Sequence, residues 1–197
     1  MRIGVFGGSF DPVHLAHLIL AEQGREQGRL DQVWFVPAAR PPHKHSELTP
    51  FDRRVEMLQL AVAGNPAFRV EEVEKDRAGP SYTADTLDEL ATKHPGHEWA
   101  LLVGSDTLRD LPGWHEPRRI VARAEVLVMA RPGAAVVPLA ELREKLGAEV
   151  RVTVAAMPLV DISSTEVRER LRTGRSVRYL VPRAVEMYAG EKGLYRD

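Results

Sequence analysis

Ile3-Gly4-Val5-Phe6-Gly7-Gly8-Ser9-Phe10-Asp11-Pro12-Val13-His14-Leu15-Ala16-His17 decides the fold. A short β-branched and aromatic run, Ile3 to Phe6, passes into a glycine pair. Apolar residues then recur three and four apart, which predicts a helix over Leu15 to Gln27. That is the first strand-turn-helix unit of an α/β protein. Working outward, further strands are expected at Val33 to Val36, Phe68 to Val73, Trp99 to Val103, Val126 to Met129 and Val150 to Val154. Helices are expected between them, at Phe51 to Ala63, Thr83 to Lys93, Glu116 to Ala122 and Leu139 to Leu146. Near-continuous apolar strands alternating with helices predict a doubly wound parallel sheet covered on both faces. Two last helices, Ser164 to Arg172 and Pro182 to Gly190, form a small helical part from about residue 163 to 197 of what reads as one domain.

Ligands of open parallel sheets bind beyond the carboxyl ends of the strands, which is where Gly7 and Gly8 stand. Paired glycines permit positive φ and close approach of a phosphate to backbone N–H groups, and the following helix offers its positive dipole end. Locally, Asp11 reads as the helix N-cap and Pro12 as its first residue. His14 and His17, three apart, would share a face of the first turns and could meet the same anion. As zinc ligands they fit poorly, because helical pairs are usually four apart with a nearby acid. Gly4, Gly7 and Gly8 do not spell G-x-G-x-x-G, and the second strand ends at Pro37 without an acid for a ribose. No Walker lysine motif occurs either, so neither a dehydrogenase nor a P-loop enzyme is indicated.

Near the other end, Ile162-Ser163-Ser164-Thr165-Glu166-Val167-Arg168 contains a capping box, Ser163 with Glu166 three residues on. It starts a helix that Gly174 ends. The same hydroxyls, with Arg168 one turn after Ser164, would also make a phosphate clamp. Arg170 and Arg172 fall on other faces. Between the ends, residues 39 to 49 read as a long loop.

Composition excludes several function classes. The 27 basic residues against 28 acidic ones leave a formal charge of -1, which gives no reason to expect a nucleic-acid polymer or an anionic membrane as partner. The absence of cysteine rules out disulfides and thiolate zinc sites. Neither a signal-peptide pattern nor an 18-residue apolar run is present, so a soluble cytoplasmic protein is expected. Oligomeric state is not fixed, and a homo-oligomer stays open.

Taken together, the Gly7 to His17 and Ile162 to Arg168 segments resemble the paired signatures of the nucleotidylyltransferase superfamily. Pro41-Pro42-His43-Lys44, Gly79-Pro80-Ser81-Tyr82-Thr83, Gly104-Ser105-Asp106, Pro112-Gly113-Trp114 and Gly193-Leu194-Tyr195 are similar, more narrowly, to the bacterial nicotinate-nucleotide adenylyltransferases. The likeness runs the length of the chain. It implies a Rossmann-like fold and transfer of AMP from ATP to nicotinate mononucleotide, giving deamido-NAD and pyrophosphate without a covalent enzyme intermediate. Magnesium would ride on the ATP phosphates, with no metal site of the protein's own.

The resemblance assigns His14, His17, Lys44 and Arg168 to the ATP phosphates as the catalytic set. Gly7, Gly8, Ser9, Phe10, Gly104 and Asp106 line the nucleotide pocket, and Ser163, Ser164 and Thr165 hold the triphosphate tail with Arg168 on the departing pyrophosphate. His43 and His45 are left as loop surface. Thr83, Trp114, the backbone at His115 and Asp106 receive nicotinate mononucleotide. Physically, Trp114 can stack on the pyridine, and Thr83 at a helix N-terminus can favour a carboxylate over a neutral carboxamide. Ala16 stands where many relatives have glycine, and His115 where tyrosine is commoner. Two alternatives remain: a transferase acting on phosphopantetheine or glycerol phosphate, which would share the end signatures but lack the Ser-Tyr-Thr and Gly-Trp pair, and a nucleotide sensor without turnover.

Overall fold

The computed structural model describes residues 1–42, 48–130, 137–147 and 150–196. Within them a six-stranded, all-parallel sheet is built from β1 (Arg2–Gly8), β2 (Gln32–Pro37), β3 (Phe68–Val70), β4 (Glu98–Gly104), β5 (Ala124–Ala130) and β6 (Val152–Ala156), in the order β3-β2-β1-β4-β5-β6. The expected doubly wound α/β class holds. From β1 the chain steps outward to β3, then returns to lay β4 against the other side of β1. That reversal opens a crevice above the carboxyl ends of β1 and β4, where Gly7, Gly8 and Gly104 lie.

Because successive strand residues face opposite sides and both sides are covered, the central strands β1, β2, β4 and β5 carry near-continuous buried apolar runs. Ile3, Val5, Trp34, Leu101, Val103 and Val128 build one core layer with α3 (Thr83–Lys93), α5 (Pro117–Arg123) and α6 (Leu139–Leu146). Phe6, Val33, Phe35, Leu102 and Met129 build the other with α1 (Leu15–Gln27), α2 (Phe51–Val62), α7 (Ser164–Arg172) and α8 (Arg183–Glu191). Helix α1 lies close to the sheet because its buried face is small: a Cβ on Gly24 would stand 2.9 Å from Cδ2 of Leu102. None of the described helices is long and apolar enough to cross a membrane.

Several expected boundaries move. The helix expected from Glu116 starts at Pro117, since Glu116 takes a left-handed φ of 46° and proline suits the first helical position. Strand β6 begins at Val152, two residues late, and β3 stops at Val70. A six-residue α4 (Ser105–Asp110) and a 3-10 turn, Leu111–Gly113, were not expected, being short and burying only Ser105, Leu108 and Leu111.

Candidate active site

The glycine pair is the end of a strand. Gly7 and Gly8 pair with Val36 and Pro37 of β2, and neither is among the residues with positive φ. The left-handed conformation expected of them falls instead on Phe10, at φ 46°. For a non-glycine residue that is strained by about 1–3 kcal/mol and must be held by its surroundings. Phe10 is 1 % exposed, its ring edge-on to Phe6 at 5.4 Å and to His17 at 5.0 Å. It therefore lies beneath the pocket that it was expected to line, and supports His17 from below. Gly8 is needed for this, because a Cβ there would meet the Phe10 ring at 3.0 Å. A Cβ on Gly7 would meet nothing within 4 Å: the space beside it is the cleft itself.

Asp11 is not the helix cap, and Pro12 is not the first helical residue. Its carboxylate, 2 % exposed, is engaged elsewhere: Oδ1 accepts from the Tyr195 hydroxyl at 2.7 Å and Oδ2 from the Thr49 N–H at 3.3 Å. His14 takes the N-cap position with extended backbone, and the helix begins at Leu15. The N–H of His14 donates to Nδ1 of His17 at 3.2 Å, and the two rings stack at 3.6 Å between centroids. The histidines thus come together as expected, through a cap rather than through a shared helical face.

His14 is 5 % exposed, and burial pushes its imidazole down from 6.5 to about 4, so it is neutral at pH 7 in the free protein. Between pH 6.5 and 4 the unfolded chain binds a proton that the folded chain refuses. Stability is complete in this respect above pH 6.5 and falls as pH drops through that window. Urea unfolding at pH 7 and 4.5 should show a fall from this source of about 2 kcal/mol in the parent and none in His14→Asn. Equal falls in both would contradict a buried neutral His14.

The late motif reaches the early one. Ser163 caps α7 by accepting the Glu166 N–H at 3.1 Å, worth about 1 kcal/mol. Gly174, φ 69°, follows the C-cap Thr173. On the same helix the Ser164 hydroxyl donates to the Pro12 carbonyl at 3.0 Å. Arg168 donates to the Asp11 carbonyl at 2.7 Å and to the Thr165 hydroxyl at 3.3 Å. Arg170 and Arg172 turn away to Glu166 and Glu169.

On the other face of the sheet a cleft of about 740 Å³ opens between Gly7-Gly8-Ser9 and the start of α3, bounded by Thr83, Trp114 and His115. A second cavity, of about 170 Å³, continues inward past Gly104, Thr107 and Glu74. Thr83 is the first residue of α3, and Tyr82, its N-cap, supplies no side-chain cap. Trp114 is half-buried, packed on the core beside this space. The His115 ring stacks on Tyr82 at 4.0 Å and closes one wall. Glu74 at the floor accepts from the Thr86 hydroxyl at 2.5 Å and the Ala39 N–H at 3.3 Å, with Arg77 at 3.8 Å. Asp106 is exposed in the first turn of α4 and borders neither cavity. Lys44, with His43 and His45, lies outside the described residues.

The two half-sites therefore meet at Gly7-Gly8-Ser9, two imidazoles, the Arg168 guanidinium and hydroxyls on the α1 and α7 side, an aromatic cleft on the α3 side. Sequence reasoning missed Arg54, 1 % exposed on α2, which donates to the carbonyls of Ser9 at 2.8 Å and Thr49 at 2.9 Å. A signal existed: Arg54, Leu58 and Ala61 are four and three apart, which places the arginine on the apolar stripe of its helix.

Comparison with known proteins bears on this arrangement. The family model described as cytidylyltransferase-like matches residues 5–170. A Thermus thermophilus protein named "Probable nicotinate-nucleotide adenylyltransferase" is 50% identical over 196 residues, covering 100% of this chain and 100% of that protein. One of the same name from Salinibacter ruber is 48% identical, covering 100% and 98%. Among solved structures, Plasmodium falciparum nicotinic acid mononucleotide adenylyltransferase complexed with NaAD aligns with a TM-score of 0.80 at 21% identity, over 98% of this chain and 97% of that one. Its complex with APC aligns with a TM-score of 0.78 at 20% identity, over 98% and 96%. At these identities the structural likeness speaks to the fold.

Proposed function

We infer function from the premise that this chain belongs to the cytidylyltransferase-like family and, within it, to the nicotinate-nucleotide adenylyltransferases. The chain transfers AMP from ATP to nicotinate mononucleotide, releasing pyrophosphate and deamido-NAD, a step of NAD biosynthesis. In its own geometry, one observation carries the reading: two half-sites of complementary chemistry abut at Gly7-Gly8-Ser9.

In direct transfer a phosphate oxygen of the mononucleotide attacks the α-phosphorus of ATP, the bond to the β-phosphate breaks, and pyrophosphate leaves with the electron pair. The protein's part is to align the two phosphates and to neutralise charge. We assign ATP to the α1 and α7 side, with His14, His17 and Arg168 on its phosphates and Ser164 and Thr165 beside the departing pyrophosphate. Lys44 is assigned to the same phosphates. Nicotinate mononucleotide takes the cleft, its ring on Trp114 and its carboxylate at the uncapped start of α3 beside Thr83 and the His115 backbone. Asp106, exposed at the start of α4 outside both cavities, is assigned only to the outer sugar-phosphate edge. Magnesium would be carried on the phosphate oxygens of ATP. When bound there, it adds charge neutralisation.

Product analysis tests the reading against a nucleotide sensor. With ATP and nicotinate mononucleotide, deamido-NAD and pyrophosphate should appear in equal amounts, and ATP alone should give neither. ATP binding without pyrophosphate release would overturn it. Trp114→Ala should raise KM for the mononucleotide about tenfold with little change in kcat, since stacking is made equally in ground and transition states. A loss confined to kcat would remove Trp114 from ring binding.

A further inference from the structure

The Ser9 to Pro12 loop is held by groups from distant parts of the chain. Arg54 of α2 takes the Ser9 carbonyl, and Tyr195, beyond the last helix, takes the Asp11 carboxylate. Both are expensive to place. Arg54 is a charged group removed from water, and burial lowers its guanidinium while the Asp11 carboxylate opposes the shift. Tyr195 reaches Asp11 only because the chain reverses after α8 through left-handed Gly193, φ 62°, and Tyr195 itself, φ 64°. A left-handed tyrosine costs about 1–3 kcal/mol unless its surroundings hold it. Fold stability alone would be served more cheaply by apolar residues at both places.

What the two residues share is the loop between the half-sites. It carries Phe10 with its strained backbone under His17, and the Asp11 carbonyl that receives Arg168. Shifting Ser9 or Asp11 would move His17 and Arg168 together.

We propose that Arg54 and Tyr195 are positioning residues for adenylyl transfer, which set the Ser9 to Pro12 loop through the Ser9 carbonyl and the Asp11 carboxylate and so make the last turn of the chain part of the ATP site. The proposal rests on the assignment of ATP to that loop. Tyr195→Phe removes one hydroxyl and keeps the ring. Arg54→Lys keeps the charge but loses the planar fork that spans two carbonyls. Each should raise KM for ATP about tenfold, the effect of a lost hydrogen bond to a charged group, and leave KM for nicotinate mononucleotide within about twofold.

Tyr188→Phe is the control, because its hydroxyl joins Arg53 and Glu56 across α2 and α8, away from the loop. It should lower Tm by about 3 °C, as Tyr195→Phe should, but leave both KM values unchanged. Calorimetric binding of a non-hydrolysable ATP analogue should weaken about tenfold in Tyr195→Phe and Arg54→Lys and stay at the parental value in Tyr188→Phe. This arm needs no acceptor, so it decides the proposal separately from the identity of the reaction. A folded Tyr195→Phe protein with parental analogue affinity, or one whose two KM values rise equally, would overturn it.

Discussion

His17→Ala protein should turn over about 10²-fold or more slowly than the parent while its unfolding temperature falls by only a few degrees. His17 occupies the third position of α1, where its Nδ1 accepts the His14 N–H and its ring rests edge-on against Phe10. Losing the cap interaction costs at most about 1–2 kcal/mol of stability, within the margin of a domain of this size. Catalysis loses more, because a donor aimed at charge that develops during transfer acts in a site already arranged, with no reorganisation. Steady-state rates beside thermal unfolding separate the two effects. Near-parental turnover would take His17 out of the mechanism.

Arg168→Ala should be the most damaging single change, lowering kcat/KM by about 10³-fold. Two losses coincide. On the proposed assignment the pyrophosphate loses its cation, and the Asp11 carbonyl loses the donor that ties α7 to the Ser9 to Pro12 loop at 2.7 Å. Arg168→Lys discriminates between them: it restores a charge but cannot donate to the Asp11 carbonyl and the Thr165 hydroxyl in one planar fork. We expect lysine to recover only a small part of the activity, measured as kcat/KM for ATP at saturating mononucleotide. Full recovery would mean that charge alone matters and the tie to Asp11 does not.

How much of this was legible follows from what each residue answers to. Helices with a periodic apolar face, such as α1, α3, α6 and α7, stand at Leu15–Gln27, Thr83–Lys93, Leu139–Leu146 and Ser164–Arg172, where the spacing predicts them. Their faces record burial against the sheet directly. Helix α4 was invisible, since Ser105 to Asp110 has one turn and a single large apolar residue, Leu108. Asp11 misled because a local rule, acid before proline before helix, competes with a long-range one: Tyr195 and Thr49 claim its carboxylate, and no spacing encodes a partner 184 residues away. The pairing of His14 with His17 was read correctly and its cause was not, for an N-cap with a ring acceptor at the third position was not foreseen. The family resemblance places Phe10 in the pocket wall, yet its left-handed backbone turns the ring into the core. The division of the site between the two sheet faces appears only once the strand order, with β4 returning beside β1, is known.

That division makes the claim about the acceptor specific. The uncapped start of α3 beside Thr83 offers N–H groups and a positive dipole end to a carboxylate, and offers less to a carboxamide. The most direct test is kcat/KM for purified protein with ATP and, in parallel, nicotinate mononucleotide, nicotinamide mononucleotide and phosphopantetheine. Nicotinate mononucleotide should be used about 10²-fold or more efficiently than its amide, and phosphopantetheine not at all. Equal rates with the acid and the amide, or activity with phosphopantetheine alone, would contradict the account.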